Sequence, residues 1–330
     1  DDWLIVAAGN PPEYNKSVRE FDVATLDRVR KIEVLPELSV WLSYAEKNQI
    51  HSAVTTYLMA HSDHFYSVSQ EVDEKRFVTA RGWEDLSAVL KSYEILHFPV
   101  DEALIGQYLQ EEKTAEEFSS YYRIYEKYGQ DYGVEEILTG AFSGKIMAQK
   151  QQMAANGSAE ERSVLLSLFH AALRKEASAC QKQEHTAKEL SECFRQFTGL
   201  CRQKKDETYA SWLQQKEQGF AVCKQQGLLK KGEEETNARV LKKLKKLEET
   251  AKKCRKTDSD QMKELFETVC ELEQEKVEKE VKNVKLQIRR AAEFLQNSFP
   301  GGAEVVLFEA NLARSPALRS FLIEKSMDAE

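Results

Sequence analysis

Three polar residues sit where their type and setting would suit work on a phosphate. Asn10 closes the run Trp3-Leu4-Ile5-Val6-Ala7-Ala8-Gly9, with Pro11 and Pro12 directly behind it. A short run that is apolar on both faces reads as a buried central strand of a parallel sheet, and glycine and proline end it. Ligands of open α/β sheets sit at the carboxyl ends of such strands, where a polar side chain could orient an attacking water. An asparagine before two prolines equally suits a plain turn. Arg28 follows Leu26-Asp27 and precedes Val29 to Val34, which alternates as a second strand should. An arginine there could neutralise charge on a transferring phosphoryl group. It could also pair with Asp27 or Glu33 at the surface, where such pairs are worth little, and Arg30 is a rival two residues on. Arg81 lies in the first turn of the helix that Thr79 is placed to cap. The macrodipole disfavours a cation at that end, so either Glu84 or Asp85 pairs with it or an anion binds.

Other chemistry has less to stand on. No G-x-x-x-x-G-K-[ST] phosphate loop occurs. The stretch Gly140-Ala141-Phe142-Ser143-Gly144-Lys145-Ile146 is one residue short, lacks the hydroxyl residue and follows a helix. Nor does an apolar run end in Asp-Glu as a Walker B strand would. His61-Ser62-Asp63-His64 brings two imidazoles close in sequence, but two ligands do not make a metal site, and the segment reads as solvated surface. Lys242, Lys243, Lys245, Lys246, Lys252 and Lys253 flank an apolar seam, where lysines ordinarily form a solvated face. The cysteines (Cys180, Cys193, Cys201, Cys223, Cys254 and Cys270) form no Cys-x-x-Cys and read as reduced thiols of a cytoplasmic protein.

The elements that would position these groups are mostly helical. With 330 residues the chain can hold two or three cores, and 14 Gly and 6 Pro are few enough to disfavour an all-β fold. A net charge of −8 argues against nucleic acid or an anionic membrane as partner, and no apolar run is long enough to cross a bilayer. Leu38, Trp41, Leu42 and Ala45 share one helical face, and Leu86, Val89, Leu90 and Tyr93 share another. Asp101 is placed to cap a helix carrying Leu104, Ile105 and Leu109, and a tyrosine-rich helix spans Phe118 to Tyr128. Val240, Leu244, Leu247, Ala251 and Cys254 form a heptad seam that resumes at Met262 after Thr257-Asp258-Ser259-Asp260. Two long helices around that break predict an antiparallel hairpin. Glu304 to Glu309 reads as one more strand, followed by a helix through Leu318, Phe321 and Leu322.

The stretches from Asn10 to Val29 and from Thr79 to Leu86 resemble the MoxR branch of the AAA+ ATPases. Phe98-Pro99-Val100-Asp101, Ile105-Gly106-Gln107-Tyr108-Leu109 and Tyr132-Gly133-Val134-Glu135-Glu136-Ile137-Leu138 extend the likeness to a subgroup with long C-terminal helices. The resemblance implies that Asn10 is the sensor 1 residue and Arg28 an arginine finger acting on the neighbouring subunit. Arg81 would be the sensor 2 residue, reaching the nucleotide from a helical lid. One departure is Asp27-Arg28-Val29 where relatives of the wider group carry Asp-Arg-Phe. The implied layout is mostly α. Residues 1–35 would be the last strands of an AAA+ core, 36–147 the lid, 148–158 a linker, 159–299 a coiled-coil-like extension and 300–330 a strand–helix unit. The implied cofactors are ATP and Mg²⁺, with the phosphate loop outside this chain. The implied state is a homo-oligomeric ring, acting as a chaperone-like ATPase on partners such as von Willebrand A domain proteins. A helical scaffold working through the hairpin is the alternative from another class.

Overall fold

The computed structural model describes residues 5–9, 24, 27–68, 76–203, 208–254 and 258–322. Helices dominate it. They are α1 (Leu38–Lys47), α2 (Ser52–Ala60), α3 (Ala80–Leu96), α4 (Glu102–Gly106), α5 (Glu112–Tyr132), α6 (Val134–Thr139) and α7 (Gly144–Ala155). After these come α8 (Ala159–Gln203), α9 (Tyr209–Gln225), α10 (Lys231–Lys253), α11 (Ser259–Ser298), α12 (Ala303–Arg314) and α13 (Pro316–Arg319). Among the described residues the strands are two short ones, β1 (Ser67–Val68) and β2 (Phe77–Val78), paired antiparallel with Ser67 opposite Val78.

Local sequence signals account for several helix boundaries. Thr79 caps α3 through its side chain, which accepts from the Gly82 N–H at 3.2 Å, and Asp101 caps α4 by accepting from Leu104 N–H at 2.9 Å. Glu111 does the same for α5, accepting from Thr114 N–H at 2.8 Å. Helix α5 stops at Gly133, whose φ of +61° suits glycine, and a Cβ there would lie 2.7 Å from the Phe142 ring.

Among the described residues three apolar cores follow one another. The first lies under α1 to α5, with Trp83, Tyr57, Leu58, Leu86 and Phe118 fully or almost fully buried. Helix α5 is the bridge to the second. Its Phe118 and Tyr122 pack into the first core, and its Tyr128 and Tyr132 belong to the second. That second core adds α6, the first half of α8, the last half of α11, and α12 and α13. The third gathers Leu190 and Phe197 of α8, Trp212 of α9, Val240 and Leu244 of α10 and Phe266 of α11.

Several expectations need correction. Residues 5–9 and 29–34 are not strands: they pair with nothing among the described residues, and Ile5, Val6, Ile32 and Val34 are exposed. An isolated strand without neighbours has no ladder to hold it. The strand expected at Glu304 to Glu309 is helix α12. Gly302 stands at its N-cap, and Phe308 and Leu312, one turn apart, face the second core, while Val306 and Leu307 are exposed. Residues 148–155 of the expected linker are helical, within α7. The seam residues of α10 are buried as the heptad predicts, but α10 and α11 do not pack on each other alone. Helix α8 is the principal neighbour of α11 and also packs against α10.

Candidate functional site

Arg81 is the sequence-predicted residue with the best-defined setting. The first turn of α3 is held on three sides. Thr79 caps it, Trp83 is fully buried, and Gln110 N–H donates to the Phe77 carbonyl at 3.1 Å, fixing β2 to the connection between α4 and α5. Gly82 comes so close to that connection that a Cβ would lie 2.6 Å from the Tyr108 carbonyl oxygen. On this rigid turn Arg81 faces solvent and makes no ion pair or hydrogen bond among the described residues. Its expected acidic neighbour is engaged elsewhere, because Glu84 accepts from the Tyr44 hydroxyl at 2.8 Å. That contact, together with burial and the Glu84 charge, raises the Tyr44 phenol above its ordinary range. Asp85 has no ion pair with Arg81 either.

Arg28 lies in an exposed turn over residues 27–29 and pairs with neither Asp27 nor Glu33. Asn10 lies outside the described residues. Arg28 and Arg81 are both exposed, each without an ion pair or hydrogen bond among the described residues. Two open clefts, of about 720 and 470 Å³, lie elsewhere. The larger is lined by Arg195, Trp212, Lys216 and Phe220, and the smaller by Glu46, His170, Arg174 and Arg314.

Three of the six lysines singled out in α10 are matched by carboxylates of this chain. Lys243 reaches Glu273 at 2.6 Å, Lys245 reaches Glu217 at 2.7 Å and Lys252 reaches Glu248 at 2.9 Å. All six cysteines are free thiols. Burial, then the Glu280 and Glu184 carboxylates, pushes the Cys180 thiol up to about 11, so it is protonated and inert at neutral pH.

The two histidines read as solvated surface acquire a third partner. His61 is the C-cap of α2 and His64 ends the 3-10 turn Ser62–His64, so the rings stack with centroids 5.6 Å apart. Glu117 of α5 places its Oε2 3.7 Å from His64 Nε2, and one donor atom from each of the three lies within 4.8 Å of the others. Nothing local in the sequence announces Glu117, because only the packing of α5 over the end of α2 brings it there.

Comparison with protein-family models, with curated proteins and with solved structures finds no match. No helix among the described residues is long and apolar enough to cross a membrane.

Proposed function

We propose that this chain is the C-terminal part of a MoxR-like AAA+ ATPase, coupling ATP hydrolysis to chaperone-like remodelling or activation of partner proteins. The observation that carries the reading is Arg81. A capped, rigid helix start presents a cation to solvent against the macrodipole, with its nearest acidic neighbours unengaged by it. An anionic ligand is the natural complement to such a residue, and the resemblance of Thr79 to Leu86 to the sensor 2 element names that ligand as ATP. The exposed apolar side chains of Ile5, Val6, Ile32 and Val34 favour the same reading, since further strands would cover them. In this assignment Asn10 orients the attacking water, Arg28 acts in trans on the neighbouring nucleotide, and Arg81 contacts the nucleotide of its own subunit. ATP and Mg²⁺ would be held chiefly by residues outside this chain, in a cytoplasmic homo-oligomeric ring. A von Willebrand A domain protein is the partner class that the resemblance suggests.

The test uses the complete protein, translated with whatever precedes Asp1 in the coding region. Arg28→Ala should abolish turnover and leave nucleotide affinity mostly intact, whereas Arg81→Ala should weaken both. Mixing Arg28→Ala subunits with a variant lacking a functional phosphate loop should restore part of the activity. A complete protein without phosphate-loop and Walker B motifs, or without ATP turnover, overturns the assignment. The rival reading, a non-enzymatic helical scaffold, draws on the length of α8 and α11, at 45 and 40 residues.

A further inference from the structure

We propose that His61, His64 and Glu117 form a binding site for a divalent transition-metal ion of the zinc class, in the helical body under α2 and α5. The site is built from a rigid end. Helix α2 is buried along most of its length, and His61 closes it with its backbone N–H donating to the Tyr57 carbonyl at 2.8 Å. The following 3-10 turn folds His64 back beneath His61. Its backbone is pinned there by Trp83, whose indole N–H donates to the His64 carbonyl at 3.2 Å.

The two nitrogens of His64 have different tasks. Nδ1 lies 2.7 Å from the Tyr57 hydroxyl, and Tyr57 is almost fully buried, stacked on His61 at 4.6 Å and edge-on to Phe118 at 5.1 Å. At that distance the phenol oxygen can accept a bond from Nδ1–H, the tautomer that leaves Nε2 for a ligand. Nε2 faces two carboxylates, Glu117 at 3.7 Å and Asp63 at 3.6 Å. Those separations are too long for hydrogen bonds. They are close to the ligand spacing around one ion: bonds of about 2.0 Å at tetrahedral angles place neighbouring donors about 3.3 Å apart. A metal-ligating histidine ordinarily donates its other ring N–H to a fixed oxygen, as Tyr57 allows here.

The surrounding charge suits a cation. Asp63, Glu111 and Glu117 face the site. Lys113 is the opposing charge, 3.8 Å from the other oxygen of Glu117, and both partners of that pair are substantially exposed, so it is weak. His61 is exposed, and its donor atom lies within 4.8 Å of those of His64 and Glu117. Two imidazoles and a carboxylate select zinc-class ions over calcium or magnesium, which prefer all-oxygen shells. The fourth position is open to water or to Asp63. A bound ion would tie the end of α2 to α5, beside the Trp83 anchor of α3.

The test is a Co²⁺ titration of the chelator-stripped protein, read by visible absorption, with displacement by Zn²⁺. The expected result is one Co²⁺ per chain with a nitrogen- and oxygen-type spectrum, retained after alkylation of the thiols. His61→Ala and Glu117→Gln change exposed or half-exposed side chains and leave the core intact, and each should weaken binding by at least about tenfold. Tyr57→Phe, a positioning change, should weaken it by about 10–100-fold while His61 and Glu117 remain. No spectral change with Co²⁺, affinity unaltered in both His61→Ala and Glu117→Gln, or binding abolished by thiol alkylation would each overturn the proposal.

Discussion

Stability should fall as pH drops from 7 towards 4, and one residue accounts for a defined part of the loss. His170 lies on α8 with 3% of its surface exposed, bonded to the backbone of Asn311, and its Nε2 has no partner. Burial first, then the Arg174 guanidinium, lowers its pKa from 6.5 to about 4. The unfolded chain therefore binds a proton at a higher pH than the folded one, so stability contributed by the neutral ring is complete above the unfolded value. It is lost as pH falls through the folded value. The linkage gives a loss of about 2 kcal/mol between about pH 7 and about pH 5, and about 3 kcal/mol once pH is below 4. His170→Asn keeps a donor for the Asn311 backbone but cannot take up charge. Urea unfolding of both chains across this range isolates the residue, because the other histidines are common to both and cancel. The variant starts lower, having lost ring packing, but it should lose about 2 kcal/mol less than the parent between those two pH values. Parallel pH profiles for the two chains would refute the reasoning.

Three further outcomes follow from the packing. Gly82→Ala places a methyl group against the Tyr108 carbonyl and should destabilise by about 1–3 kcal/mol, measured by thermal or urea unfolding. An unchanged midpoint would mean that the turn carrying Arg81 is not held as tightly as described. The second and third cores should respond separately to truncation. Phe294→Ala in the second and Phe266→Ala in the third should each cost about 3–5 kcal/mol, with hydrogen exchange rising around residues 128–180 for the former and around 190–197 and 240–251 for the latter. Deleting residues 233–297 should then disrupt the second core, since Ala291, Phe294 and Leu295 belong to it and Arg290 donates to the Leu138 carbonyl at 3.0 Å. A deletion that leaves hydrogen exchange around residues 128–180 unchanged would refute this and make the hairpin independent of the second core.

What could be read in advance was whatever a short stretch decides for itself. Thr79 and Asp101 cap helices because a side-chain oxygen and an N–H three residues on satisfy each other without help from the rest of the chain. Val240, Leu244, Leu247 and Ala251 are buried because their spacing makes one apolar stripe, whatever covers it. What covers it was not legible. The seam suggested that α10 and α11 zip together, whereas Phe197 of α8 and Trp212 of α9 share that core. Glu304 to Glu309 failed for a related reason. Val305-Val306-Leu307-Phe308 suits a strand as well as a helix over four residues, and the choice is made by Phe308 and Leu312 finding the second core together. Residues 5–9 and 29–34 show the converse, apolar sequence without the neighbours that would make it a sheet. His64 and Glu117 belong to the same class of fact. Each is unremarkable where it stands in the sequence, and their relation exists only because Tyr57, Trp83 and Phe118 lock α2, α3 and α5 in one packing. A site made by such packing is therefore sensitive to the core beneath it, so substitutions at Phe118 that loosen α5 should affect metal affinity without touching a ligand.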